Sequence, residues 1–227
     1  MCFSAKASFI AAGALSVIGL LSIRKATNTK KLIPLASTPL LFALQQASEG
    51  LVWIALTTEP PHYLYNIGIY TFVFFAGAWW PLYTATILYT LEEKPTRKKL
   101  LFLFSIFGIT TGILYFISLI TQPVQAFVVN HHIYYPVLSY PFGTTTSTAA
   151  NYAQTILSVM YLISTAVPCF LSSIQFTSLL GVVLCLAFTT SQLFFVPTTA
   201  STWCFFAAIA SILIYFIVRK YEAEKNS

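Results

Sequence analysis

A chain of 227 residues with 57% hydrophobic and only 8% charged side chains cannot be a water-soluble domain. Soluble domains carry about 25% charged residues to keep their surface wet, and six carboxylates with twelve Lys/Arg cannot coat a globule of this size. The mean hydropathy of +0.78 and the formal net charge of +6 describe an integral membrane protein whose cations report topology.

About 20 apolar residues are needed to cross a bilayer. Seven such stretches are expected in chain order, over residues 8–23, 33–57, 66–91, 100–121, 151–171, 174–196 and 199–218. Each should be helical, because lipid offers an unpaired backbone group no partner. The expected fold class is therefore all-α, one polytopic domain over residues 1–227 built as a bundle of seven transmembrane helices.

Arg24, Lys25, Lys30 and Lys31 separate the first two spans, Lys94, Arg97, Lys98 and Lys99 the third and fourth, and Arg219, Lys220 and Lys225 follow the last. With seven spans those eleven cations share one side and Lys6 alone lies opposite. The positive-inside rule then puts the N-terminus outside and the C-terminus in the cytoplasm. A single cation before the first span and a heavier cluster after it indicate a retained helix, not a cleaved signal peptide. The cations fall in short juxtamembrane clusters, which suit the lipid bilayer as partner and leave nothing to organise a nucleic-acid surface.

Between the fourth and fifth spans, residues 122–150 form the longest non-helical segment, expected outside the membrane and placed to act as a lid over the outer mouth. Pro136, Pro141 and Gly143 should break any helix there, and its tyrosines suit the interfacial belt. In the third span, Trp79-Trp80-Pro81 predicts a loosened helical ladder that neighbouring groups must repair.

The chain has no Asp, and five of its six Glu fall in loops or tails. The sixth, Glu49, lies inside the second span, where an ionisable group costs about 2.5–3.5 kcal/mol on insertion scales. A rise of about 1.5 Å per residue places it roughly 27 Å from Lys31, toward the outer side. Gln45 and Gln46, four and three residues back, share its helical stripe, and Ser48 flanks it. More polar groups gather at this depth: Asn66, Tyr70, Asn151, Tyr152, Gln154, Thr189, Thr190, Ser191, Gln192, Ser201 and Thr202. If these face inward, they form a cup open to the outside.

A metal centre is the second expectation. Cys2, Glu49, His131 and His132, with His62, all fall on the outer side, and a thiolate, a carboxylate and imidazoles suit zinc or copper. The spacing is not that of an established zinc motif, and adjacent histidines such as His131 and His132 point apart in most backbones. Cys169, Cys185 and Cys204 read as small apolar helix residues.

The opening Met1-Cys2-Phe3-Ser4-Ala5 and the second-span residues Gln45, Gln46, Ser48, Glu49, Gly50 and Trp53 together resemble an uncharacterised family of bacterial integral membrane proteins. The resemblance is clear over about the first 55 residues. It implies a multi-pass fold in the cell membrane, and bacterial origin places that in the inner membrane, but it implies no activity. The functional expectation therefore rests on the residues: binding or transport of a small solute or cation at an outward-facing polar site centred on Glu49. The alternatives are a metalloenzyme acting at the outer leaflet, whose bound water attacks a lipid-like substrate, and a sensor or scaffold subunit.

Overall fold

The computed structural model describes residues 4–58, 62–141 and 148–225. Among the described residues, seven helical stretches are long and apolar enough to cross a membrane, as expected. The first is α1 (Ala5–Lys25), opened by the Ser4 hydroxyl, which accepts the Ala7 N–H at 3.3 Å, and closed by Arg24 and Lys25, where the helix dipole favours cations. Two short 3₁₀ turns (Ala26–Asn28 and Lys30–Leu32) lead into α2 (Ile33–Thr57). The third span is one continuous rod of α3 (His62–Val73), a π turn (Phe74–Trp79) and α4 (Trp80–Leu91). Pro81 explains the π turn. It has no N–H for the carbonyl of Gly77 and its ring crowds that carbonyl, so the ladder widens just before it.

The fourth span, α5 (Pro95–Thr121), leads into a hairpin of β1 (Phe127–Val129) and β2 (His132–Tyr134), paired antiparallel with Val129 opposite His132. Its two turn residues, Asn130 and His131, have φ of 49° and 61°, the left-handed pair that a two-residue turn needs to match strand twist. The hairpin is docked on the bundle. Ile133 is fully buried, Tyr135 stacks on Phe72 at 4.5 Å, and the Ala126 N–H donates to Tyr65 Oη at 3.1 Å. Next comes a one-turn helix, α6 (Pro136–Ser139), which corrects the expectation that prolines exclude helix here. Pro136 sits in the first turn, where a missing N–H breaks no bond.

The fifth and sixth spans are α7 (Thr148–Leu171) and α8 (Thr177–Phe194). The seventh is α9 (Thr199–Ala210) and α10 (Ile212–Lys225), meeting at Ser211 and running about two turns past the expected end at residue 218. The second, third and seventh spans bury half or more of their apolar stretch, whereas the first and sixth bury 28%. The former three are thus the centre of the bundle, and the others wrap it with leucine, isoleucine and phenylalanine facing outward.

Small residues set the closest approaches, because lipid provides no hydrophobic drive between helices and contact area must do the work. Ser8, Ala12, Gly19 and Ser22 line the buried face of α1 against α2. Gly108 and Gly112 of α5, a Gly-x-x-x-Gly pair, lie on the backbone of α4 and of the π turn respectively.

The three expected cation clusters share one end, here termed the basic end, opposite the hairpin. Lys31 pairs with Glu93 at 2.8 Å, Arg97 donates to the Ser172 carbonyl at 3.0 Å, and α10 packs on the Ala26–Asn28 turn. Glu92, expected as an ordinary loop residue, is instead buried and ties the α7–α8 turn to α4. Its carboxylate accepts the Ser173 N–H at 2.6 Å, the Ser173 hydroxyl at 2.6 Å and the Lys94 N–H at 2.9 Å. Burial alone would raise its pKa, but these donors outweigh it and hold the carboxyl below the usual range. A depressed carboxylate adds stability that is full above the unfolded pKa and lost as pH falls through the folded one. Glu92→Gln should therefore destabilise by about 1.5–3 kcal/mol at neutral pH. The variant and the wild type should converge on acidification, which melting curves between neutral and acidic pH would reveal.

Candidate functional site

Glu49 is fully buried, about two-thirds of the way along α2. Its Oε1 accepts the hydroxyl of Ser201, on α9, at 2.5 Å. Gln45, one turn nearer the basic end, is also fully buried, and its Oε1 accepts the Trp80 indole N–H at 2.7 Å. Trp80 in turn lies flat on Phe42, ring centroids 3.9 Å apart. The carboxylate and its neighbouring amide thus pin α2 to α9 and to α4 respectively. Gln46 shares a helical face with Gly50, which abuts the Phe9 ring of α1. It is fully buried, and neither atom of its amide has a hydrogen-bond partner among the described residues. The Ser48 hydroxyl turns back to its own helix and donates to the Gln45 carbonyl at 2.7 Å, so it does not reach Glu49. Three of the four expected residues therefore project from one stretch of α2 toward three different helices.

Of the wider polar set, the structure turns only part inward. Ser191, Ser201 and Thr202 are buried and Gln154 and Gln192 line a cavity, whereas Asn66, Tyr70, Tyr152 and Thr189 face outward. Periodicity within one helix cannot distinguish these cases, since each helix has two polar flanks and only its neighbours decide which is covered.

Two cavities stack along the bundle axis. One opens at the hairpin end and is lined by polar groups that include Ser139, Tyr140, Gln154, Ser158, Gln192 and Thr199. The other lies toward the basic end among α2, α4, α7, α8 and α10, with walls that include Leu35, Phe42, Leu88, Leu184, Ile214 and Ile217. Tyr161, Trp203 and Cys204 line both. They form the partition. Tyr161 donates its hydroxyl to the Ala76 carbonyl, inside the π turn, at 2.5 Å, and Trp203 meets the rings of Tyr161 and Phe188 edge-on, both at 5.0 Å. The indole N–H of Trp203 has no hydrogen-bond partner among the described residues. Cys204, one turn along α9 from Ser201, sits beside the Gln45 amide and within electrostatic reach of Glu49. The carboxylate cluster therefore backs onto the partition and does not itself line either cavity.

The expected metal ligands are not brought together among the described residues, where no three His, Cys, Asp or Glu side chains converge. His131 is exposed at the hairpin tip, while His132 is buried with its ring edge-on to Phe195 at 4.9 Å, so the two imidazoles diverge as the backbone argument anticipates. Burial holds His132 below the usual imidazole pKa, with His131 adding to the effect. Cys2 lies outside the described residues. Tyr161, Trp203 and Cys204 were not singled out by the sequence as site residues, and no local pattern marks them.

Fold and site together define a polytopic helical membrane protein with a carboxylate–amide cluster buried beside a two-chambered interior. The chain belongs to a family of unknown function (DUF6629), which it matches over residues 1–227. Comparison with curated proteins and with solved structures finds no match.

Proposed function

We propose that this protein binds and transports a small solute or cation, which enters at the hairpin end, and that Glu49 is the ionisable group of the transport step. The observation that carries this reading is the position of Glu49, wholly buried on a central span and joined through Ser201 and Cys204 to the wall between the two cavities. Intramembrane carboxyls of this kind mark substrate and proton pathways, because their insertion is unfavourable and must be offset by partners or by function. The polar vestibule receives the solute, Tyr161 and Trp203 close the way inward, and the hairpin segment of residues 122–141 covers the mouth. A proton on Glu49 would be exchanged for a cation or released as the partition opens. In this reading the basic end faces the cytoplasm and the hairpin end the outside, as the positive-inside rule favours for the cation clusters, and the membrane is a bacterial inner membrane, as the N-terminal resemblance suggests.

The test uses proteoliposomes and a panel of monovalent cations, small amines and neutral solutes, comparing wild type with Glu49→Gln and with Glu93→Gln. Glu93 is exposed at the basic end, so its variant controls for loss of charge alone. At least one solute should show pH-dependent uptake that falls on the order of tenfold or more in Glu49→Gln, equivalent to about 1.4 kcal/mol, and stays unchanged in Glu93→Gln. Uptake that survives in Glu49→Gln, or its absence for the whole panel in the wild type, would sink the proposal.

A further inference from the structure

A groove at the basic end, apart from both cavities, runs between the start of α8 and one face of α10. Its walls are Phe176, Leu179, Leu213 and Phe216, and it ends at Arg219 and Lys220. Leu213, Phe216 and Lys220 recur at helical spacing, so one stripe of α10 passes from apolar to cationic within a turn. Phe176 has φ 65° and ψ −1°, a left-handed conformation that bulky residues avoid. That conformation does not seat the ring in the core. It leaves Phe176 48% exposed at the groove, beside Leu179 and Phe216 at 46% and 50%. Arg219 makes no ion pair among the described residues, and Lys220 reaches only Glu224, at 3.6 Å with both side chains nearly half exposed.

We infer that this groove binds one anionic phospholipid, an acyl chain lying along Phe176, Leu179, Leu213 and Phe216 and the phosphate held between Arg219 and Lys220. Charge complementarity selects the headgroup. Two cations stand where the apolar stripe ends, at headgroup height, and a zwitterionic lipid would bring its own cation against them. The pair of guanidinium and ammonium groups can donate to a phosphodiester from two directions, and each cation near the membrane surface adds to the attraction for anionic lipid. The Lys220–Glu224 contact is an exposed i,i+4 pair of little strength, so a phosphate displaces it readily.

Native mass spectrometry of the full chain, titrated with phosphatidylglycerol or phosphatidylcholine of matched acyl chains, tests the assignment. The wild type should retain one phosphatidylglycerol with a preference of about tenfold or more over phosphatidylcholine, as two surface cations predict. Arg219→Gln with Lys220→Gln should abolish the preference, and Lys98→Gln with Lys99→Gln, which removes two cations from the same end, should preserve it. Equal retention of the two lipids by the wild type would overturn the inference, as would equal loss in the two double variants. Displacement by inorganic phosphate alone would overturn the lipid assignment in favour of a free anion, and a lipid-independent dimer through this face would replace the lipid by a second copy. None of these readings involves Glu49, so the inference stands or falls apart from the transport proposal.

Discussion

Gly108→Leu should destabilise the bundle strongly, and more than Gly112→Leu on the same helix. A β-carbon built on Gly108 runs into the carbonyl of Pro81, and one on Gly112 would lie 2.5 Å from the Ala78 oxygen. These are backbone atoms of α4 and the π turn, so neither can rotate aside. At Gly19 the obstruction is partly the flexible Leu40 side chain, and at Gly13 nothing lies within 4 Å. Overpacking costs about 1–3 kcal/mol in an ordinary core. Gly108→Leu should reach the top of that range or exceed it, Gly108→Ala should fall lower, and Gly13→Leu should be close to neutral. Unfolding in mixed micelles with increasing denaturing detergent gives the ranking directly. Equal midpoints for Gly108→Leu and Gly13→Leu would mean that α4 and α5 are not in backbone contact. The effect should extend to the site, since the segment displaced carries the Ala76 carbonyl on which Tyr161 is anchored.

The second large effect is expected at Trp203. Its truncation to alanine merges the two cavities and removes edge contacts to Tyr161 and Phe188. Trp→Ala costs about 3–5 kcal/mol in water-soluble cores. Part of that figure is transfer from water, which lipid removes, while the cavity and dispersion parts remain. A loss of about 2 kcal/mol or more is therefore expected, with Trp203→Phe intermediate. The structural consequence has its own readout. In a background where Cys204 is the only cysteine, a small membrane-impermeant thiol reagent should label it slowly in the wild type, where it is buried, and much faster in Trp203→Ala. Unchanged labelling would show that the indole does not limit access to the Cys204 thiol.

The spans were legible because crossing a bilayer is a local requirement. Apolar length and helical hydrogen bonding are satisfied within one segment, and α2 accordingly has the expected bounds of residues 33–57. The seventh helix overran its expected end because Arg219 and Lys220 end hydrophobicity without ending a helix. Pro81 was read as a loosened ladder and appears as a π turn, a difference of form that depends on which freed carbonyls find donors on neighbouring helices, as that of Ala76 does in Tyr161. Glu49 stood out as the one carboxylate within a span, and Gln45 and Gln46 followed from spacing along the same helix.

Their partners could not follow from spacing. Ser201 lies 152 residues from Glu49 and Trp80 lies 35 from Gln45, and the hydrogen bonds that join them exist only once three helices have packed. Glu92 shows the same division: its place in a loop was readable, its burial against Ser173, 81 residues away, was not. Composition, span length and charge distribution thus establish a polytopic membrane chain with one costly buried acid, since each is a property of single segments measured against lipid or water. The partition of Tyr161, Trp203 and Cys204, and the division of α2's polar residues among three neighbours, come from assembly alone. Helix rotation and contact in lipid are governed by short-range packing between segments distant in the chain, and no periodicity within one helix encodes its neighbour's face.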